Sequence, residues 1–471
     1  MTSIPLDIVG STKFARYPKI SREITYNMMI SDEALIPYPG YKKIKEILAG
    51  GSQGRAVYSS PRFNHLIAII DNGVYSISSD YAIARVGTID TSTGDVFISE
   101  NNAGQIAITE NTSKVYVFNY NTESFTSTDV GFLAGYTTFL DGYIIAPELE
   151  THQWRLSDLN NALSFPFDAQ HVGEMESKPD VVVACETLER QLFIFGKNVT
   201  EVWLDIPTSS LLFPFQRQNS LSIEYGCISP NSIASNFQML VWLGANESSG
   251  PTILVSTGGK PQKIDTDGIS FELENLENPE DSYGFLFKKN GHIFYQITFP
   301  SDNVSYAYDF NEGKFFNVTD HLLNAHIARK ISYFNSTYLF ITSKDGGLYE
   351  FSDDIYTANE SIDKTKAQTI PRVRITSPKR LPGADRFVVN NIALTLDQGY
   401  SNEDLDVHLS LSKDGGQSFG TIWSQQLKKM GKRPNKLNYR KLGAANDLTV
   451  QFKFWGKDRF TIIGADLEML Q

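Results

Sequence analysis

The stretch Pro179–Ser232, PDVVVACETLERQLFIFGKNVTEVWLDIPTSSLLFPFQRQNSLSIEYGCISPNS, decides the fold class. Val181, Val182 and Val183 begin an apolar run that Glu189-Arg190 interrupts. Gln191 to Phe195 resumes it, Gly196-Lys197-Asn198 turns the chain, and Val199 to Leu204 brings it back. Short β-rich runs separated by Gly, Asn and charged pairs predict hairpins, and the apolar spacing does not follow the helical period. We read the stretch as one sheet unit of a larger all-β protein, closed by Pro214 to Arg217 and followed at Gly226-Cys227 by the approach to a new strand.

Similar hairpins recur at Ala56 to Ile77, Gln105 to Phe125, Tyr136 to Leu156, Val181 to Ile206, Ile233 to Ile264, Tyr283 to Val318 and Ile331 to Phe351. Several carry residues that tolerate positive φ: Asp71-Asn72-Gly73, Asp141-Gly142, Lys289-Asn290-Gly291 and Asp345-Gly346-Gly347. Units of roughly 30 to 50 residues fit propeller blades, each of which needs neighbours to cover its faces. The expected fold is therefore all-β: an irregular six- or seven-bladed β-propeller with a C-terminal β-sandwich-like domain. WD and kelch signatures are missing, so stacked β-sandwiches remain an alternative.

The expected organisation is an N-terminal arm over 1–50, a propeller body over 51–352, a polar linker over 353–370 and a C-terminal β-sandwich over 371–471. Within the arm, Pro37-Tyr38-Pro39-Gly40 predicts an extended turn, and Ile44 to Leu48 reads equally as a strand or a helical turn. In the C-terminal part, strands are expected at Phe387–Leu396, Leu405–Ser412, Gly420–Leu427, Leu448–Trp455 and Phe460–Leu470.

Cys185 and Cys227 are the only cysteines of 471 residues, too few for a disulfide framework or a cysteine-rich metal site, and a reducing compartment of synthesis is expected. Signal-peptide and membrane-span patterns are not seen, so a soluble chain without direct membrane insertion is expected. The net charge of −12 is uneven. Residues 366–471 carry 17 Lys and Arg against 10 Asp and Glu, a balance of +7, which leaves 25 against 44, or −19, for the first 365. Such an acidic body repels nucleic acid, although it could line a passage through which DNA slides.

The motifs argue against an enzyme. Ser412-Lys413-Asp414-Gly415-Gly416-Gln417-Ser418-Phe419 fits the Asp-box pattern, a turn whose carboxylate accepts backbone N–H bonds while the aromatic anchors the hairpin; one copy reads as structural. The acidic run from Asp265 through Asp281 lacks the ligand spacing of a calcium loop and reads as a solvated connection. His321 and His326 are too isolated to suggest zinc. Nucleotide, hydride and serine-nucleophile fingerprints are missing, so catalytic, metal and cofactor-binding residues are all expected to be none. The sharpest charged feature is the basic segment Lys428, Lys429, Lys432, Arg433, Lys436, Arg440 and Lys441. It reads as an exposed loop: a solvated hairpin tip, or a contact to phosphate or to the acidic face of a neighbouring subunit. Only Tyr439 lies near it, which argues against base readout.

The order of these parts resembles the packaged-DNA stabilisation proteins, the tail hubs or nozzles, of short-tailed bacteriophages. The resemblance spans nearly the whole chain: Tyr26-Asn27, the Pro39-Gly40-Tyr41 turn, the Arg55 to Tyr75 hairpin, Glu201-Val202-Trp203, Asn438-Tyr439-Arg440-Lys441-Leu442-Gly443 and Gly464-Ala465-Asp466-Leu467-Glu468. Where family members often carry a second Arg after the Leu-Gly, this chain has Ala444-Ala445-Asn446, so no role is assigned to an Arg there. The resemblance implies a virion protein of the phage tail, assembled in the host cytoplasm. It implies a hexameric ring of this chain below the portal–adaptor connector, retaining packaged DNA and extending the exit channel. Implied partners are the connector, a tail needle, tailspikes or tail fibres, and double-stranded DNA passing without sequence specificity. A carbohydrate-binding or glycan-cleaving propeller is the alternative, motivated by the Asp-box and an aromatic content of 12%.

Overall fold

The computed structural model describes all residues except 1, 18–21, 206–212, 237, 353, 381–385, 398–402, 430–435 and 471. Among the described residues, seven antiparallel meanders of four strands form the body. Five are separate sheets: blade 1 from Gly54–Ser60 to Ile83–Thr88, blade 2 from Phe97–Glu100 to Ser124–Ala134, blade 3 from Thr138–Leu140 to Val172–Glu174, blade 4 from Val182–Leu188 to Phe215–Arg217, and blade 5 from Ala234–Ser235 to Gln262–Lys263. Blade 6 runs from Tyr283–Lys289 to Lys314–Asn317. Blade 7 comprises Lys330–Phe334, Thr337–Ile341 and Gly346–Ser352, with Gly40–Leu48 as its fourth strand. The first strand of each blade touches the first strand of the next, and that of blade 7 touches that of blade 1, so the ring closes as a seven-bladed β-propeller. Of the two blade numbers expected, seven is correct.

Turn chemistry explains the hairpins. Asp141-Gly142 and Asn290-Gly291 place both turn residues at positive φ, and Asp71 lies at φ 51°. Asp345-Gly346-Gly347 works differently: its glycines have no positive φ, and a Cβ on Gly346 would stand 2.2 Å from the Leu48 carbonyl oxygen. Glycine is needed there because the strand that closes the ring lies against it.

That closing strand changes the expected division at residue 50. Gly40–Leu48 pairs antiparallel with Gly346–Ser352, so it belongs to the body rather than to an arm, and Ile44 to Leu48 is strand. Tyr41 is fully buried and meets Phe340, Tyr349 and His326 edge to face. Burying one such side chain stabilises by about 1.5–3 kcal/mol, which resists fraying of the ring. The supposed linker 353–370 contributes Thr357–Asn359, parallel to the closing strand, and Gln368–Thr369 beside it.

The remaining N-terminal residues also depart from the arm reading. Thr2–Leu6 pairs with Thr461–Leu470, and Ala34–Pro37, hairpinned with Met28–Ser31, meets the same strand at Ile462. Leu6, Ile8, Met28 and Leu35 share one core with Ile392, Val407, Leu409, Phe452 and Leu467. The sandwich is thus built from both ends of the chain. One of its sheets is continuous with blade 6: Lys314–Asn317 pairs with Ile24–Tyr26, which pairs with Arg372–Ile375 and leads on to Thr449–Trp455, Leu405–Ser412 and Ile422–Leu427. Arg374 crosses this seam fully buried, donating to the carbonyl oxygens of Asp7, Ile8 and Ser11 and to the Glu23 carboxylate. Asn27 bridges it as well, donating to Thr319 Oγ1 and the Pro371 carbonyl and accepting from the Thr319 N–H.

The acidic run is only partly a solvated connection. Asp267–Glu274 is a helix whose Ile269 and Leu273, four apart, are buried against blades 5 and 6.

Candidate interaction surfaces

The predicted basic segment is divided between a turn and a strand. Lys436–Ala445 is an edge strand paired with Phe387–Asp397, so its side chains alternate: Leu437 and Tyr439 are buried, while Lys436, Asn438 and Arg440 are exposed on the opposite face. The alternation breaks at Lys441, φ 60°, where the register slips and Lys441 is also exposed. Lys436 faces Asp466 at 3.5 Å. Lys428 donates to Asp404 at 2.8 Å, and the Lys429 N–H donates to the same carboxylate. The lysine contact holds the Asp404 carboxyl below its ordinary value. Lys432 and Arg433 lie outside the described residues. Two of the predicted cations are therefore occupied at home, while Arg440 and Lys441 have no carboxylate within ion-pairing distance among the described residues.

The Asp414 turn is filled from within. Its carboxylate accepts from Ser412 Oγ, the N–H groups of Gln417 and Ser418, and Ser418 Oγ, and these bonds hold its pKa far below the ordinary range.

Sequence reading missed a polar cluster around the propeller axis. Glu186, on the first strand of blade 4, accepts from Tyr136 Oη at 2.5 Å, Thr138 Oγ1 at 3.1 Å and the Thr187 N–H at 2.7 Å. Burial pushes its carboxyl upward against the pull of these bonds. Lys330, on the first strand of blade 7, donates to the Asn231 carbonyl at 3.1 Å, joining blade 7 to the entry of blade 5. Burial pulls its amine down to about 8. Beside Lys330, Tyr58, Phe97 and Tyr136 line a cavity of 140 Å³, room for a few water molecules. Single charged residues on inner strands, far apart in sequence, gave no pattern to read.

An open groove of 490 Å³ runs between blades 3 and 4, with Glu174, Glu176, Trp203 and Arg217 along it. Trp203 is 5% exposed and packs edge to face on Trp154 and Phe213, so it offers no open ring face. Glu176 faces Arg217 at 3.4 Å. Glu201 is buried and accepts from the N–H groups of Glu176 and Ser177 and from Trp203 Nε1. Glu110 does the same between blades 1 and 2 for the N–H groups of Asp90 and Thr91. These carboxylates anchor the connections between blades. Cys185 and Cys227 are free and buried in separate cores. Among the described residues no three His, Cys, Asp or Glu side chains are grouped to hold a metal, and no helix is long and apolar enough to cross a membrane.

The model of a phage-stabilisation family, described as Bacteriophage P22 Gp10, beta-propeller, matches residues 11–355. No curated protein matches the chain. Among solved structures, a catalytically inactive virginiamycin B lyase from Staphylococcus aureus with quinupristin aligns at 13% identity and a TM-score of 0.46, covering 66% of this chain and 98% of its own. U3-55K aligns at 10% identity and a TM-score of 0.42, covering 66% and 99%.

Proposed function

The chain belongs to the phage-stabilisation family described as Bacteriophage P22 Gp10, beta-propeller, and on that premise we propose that it is the tail hub or nozzle: a non-enzymatic virion protein, assembled in the host cytoplasm. In this reading a hexameric ring of copies docks below the portal–adaptor connector, retains the packaged genome and extends its exit channel. Its outer faces receive a tail needle and tailspikes or fibres. The family match carries the reading.

Two physical features support it. The axis of one propeller cannot be the DNA path, because Lys330 reaches over to Asn231 there and the cavity beside it holds 140 Å³. A duplex whose major groove alone is about 12 Å wide needs a passage bounded by several copies. The acidic body, at −19, also suits a wall that a polyanion slides past, since each phosphate contact would add affinity that ejection must overcome. The groove between blades 3 and 4 gives the carbohydrate alternative no support, because its Trp203 ring is covered and Glu176 is paired.

The test is retention. DNA-filled heads carrying portal and adaptor but lacking this chain should lose nuclease protection of their genome, and adding the purified protein should restore it. Unchanged leakage after addition would contradict the proposal.

A further inference from the structure

Lys330 begins blade 7 and reaches over to the Asn231 carbonyl, 3.1 Å away. An ammonium has three donors, and this bond uses one. Among the described residues the amine has no second acceptor and no carboxylate within ion-pairing distance. Asp95 is paired with Arg329 at 3.4 Å, and Glu186 is held by Tyr136, Thr138 and the Thr187 N–H, so both act on Lys330 only from longer range. Burial is the larger influence and pulls the pKa down to about 8, which leaves about a tenth of the amine free at pH 7. A desolvated lysine of this kind is a nucleophile.

The same side chain lines the cavity of 140 Å³. Val57, Val96 and Phe97 give that cavity an apolar wall. Thr137 shares it, is 3% exposed, and its Oγ1 has no hydrogen-bond partner among the described residues. The hydroxyls of Tyr58 and Tyr136 are already committed to Glu100 and Glu186. One cavity thus brings together an amine with unused donors, an unused hydroxyl and room for a short apolar group. Cavities of about this size admit a benzene-sized ligand.

We propose that Lys330 is an acylation site, its amine attacking a small acyl phosphate and the cavity receiving the acyl group. Nζ bonds to the carbonyl carbon, the bond from that carbon to the phosphate oxygen breaks with its electron pair, and inorganic phosphate leaves with the proton that the nitrogen loses. In the product the amide N–H keeps the Asn231 carbonyl as acceptor, the acyl oxygen accepts from Thr137 Oγ1, and the alkyl end meets Val57, Val96 and Phe97. The charge that burial disfavours is gone, and the unpartnered hydroxyl is satisfied. The reaction needs only this chain, so it goes beyond the ring reading without resting on it.

The test is acylation of the full folded chain by acetyl phosphate, read by mass spectrometry of peptides cut at glutamates so that modification does not block cleavage. Nα-acetyl-lysine amide in the same tube is the reference amine. At pH 7.5 Lys330 should react about tenfold faster than the reference, because far more of its amine is free. Its rate should level off above about pH 8, whereas that of the reference keeps rising to about pH 10. Thr137→Val removes the hydroxyl donor at nearly constant volume and should slow the step about fivefold without moving the plateau. Lys330 reacting no faster than the reference, or only once urea unfolds the chain, would overturn the site. An unchanged rate in folded Thr137→Val would overturn the placement of the acyl group. Should that variant fail to fold, the wild-type pH profile decides by itself: a rate still climbing at pH 10 overturns the proposal.

Discussion

The Arg374 guanidinium and the Glu23 carboxylate stand 2.5 Å apart inside the seam where the N-terminal segment joins the sandwich to blade 6. Both are buried, and the remaining guanidinium donors end on the carbonyl oxygens of Asp7, Ile8 and Ser11 and on Thr25 Oγ1. Removing either partner leaves a buried charge uncompensated, at a cost of about 3–5 kcal/mol. Arg374→Met and Glu23→Gln are each expected to lower the denaturant midpoint, and the double variant to lose less than the sum of the two. A double-mutant cycle by urea unfolding checks this; additive losses would show that the pair is not coupled.

Gly40 has no room for a side chain. A Cβ there would lie 2.3 Å from the Thr357 carbonyl oxygen, where Thr357–Asn359 runs parallel to the closing strand. Gly40→Ala is expected to destabilise by about 1–3 kcal/mol through overpacking and to expose residues 40–48 to protease. Limited proteolysis with mass mapping reads this directly, and an unchanged cleavage pattern would mean that the closing strand is not held as described.

His326 is stacked on Phe351 and accepts from the Ala328 N–H through Nδ1, and burial pulls its pKa down to about 3. The folded state therefore binds fewer protons than the unfolded one between about pH 3 and the ordinary value of 6.5. Stability falls as pH drops through that window, with His326 contributing up to about tenfold in the unfolding constant per pH unit. His326→Gln should flatten this acid limb. Equal slopes for wild type and variant between pH 4 and 6 would contradict it.

Lys330 works in the same direction at the alkaline end. Its pKa is lowered by burial to about 8 from 10.5, so the unfolded state binds more protons between those values. Relative to Lys330→Met, the wild type should gain stability as pH rises from about 8 towards 10.5. Denaturation midpoints of both proteins at pH 7.5 and 9.5 check the sign; a difference that stays constant would place the amine in solvent.

The blades were legible because their turns carry their own chemistry: Asp141-Gly142 and Asn290-Gly291 announce hairpins regardless of what lies around them. The closing strand was not, because Lys42, Lys43, Lys45 and Glu46 hide its alternation, and Lys43 is paired with Asp345 from a turn some 300 residues away. The N-terminal sandwich strands are short, and their partners lie as far off as Ile24 is from Ile375, a distance that local pattern cannot report. Helix Asp267–Glu274 was obscured by its acidic face, although Ile269 and Leu273 carried the spacing. The basic segment looked like a loop because charge dominates it, yet Leu437 and Tyr439 alternate with Lys436, Asn438 and Arg440 as an edge strand requires.

The proposed function requires that copies of this chain form a ring on the connector. The direct measurement is native mass spectrometry of the purified chain with and without the portal–adaptor assembly. The expected result is a complex that gains a fixed multiple of 52.7 kDa, saturating at one ring. A chain that stays monomeric and never binds that assembly would contradict it.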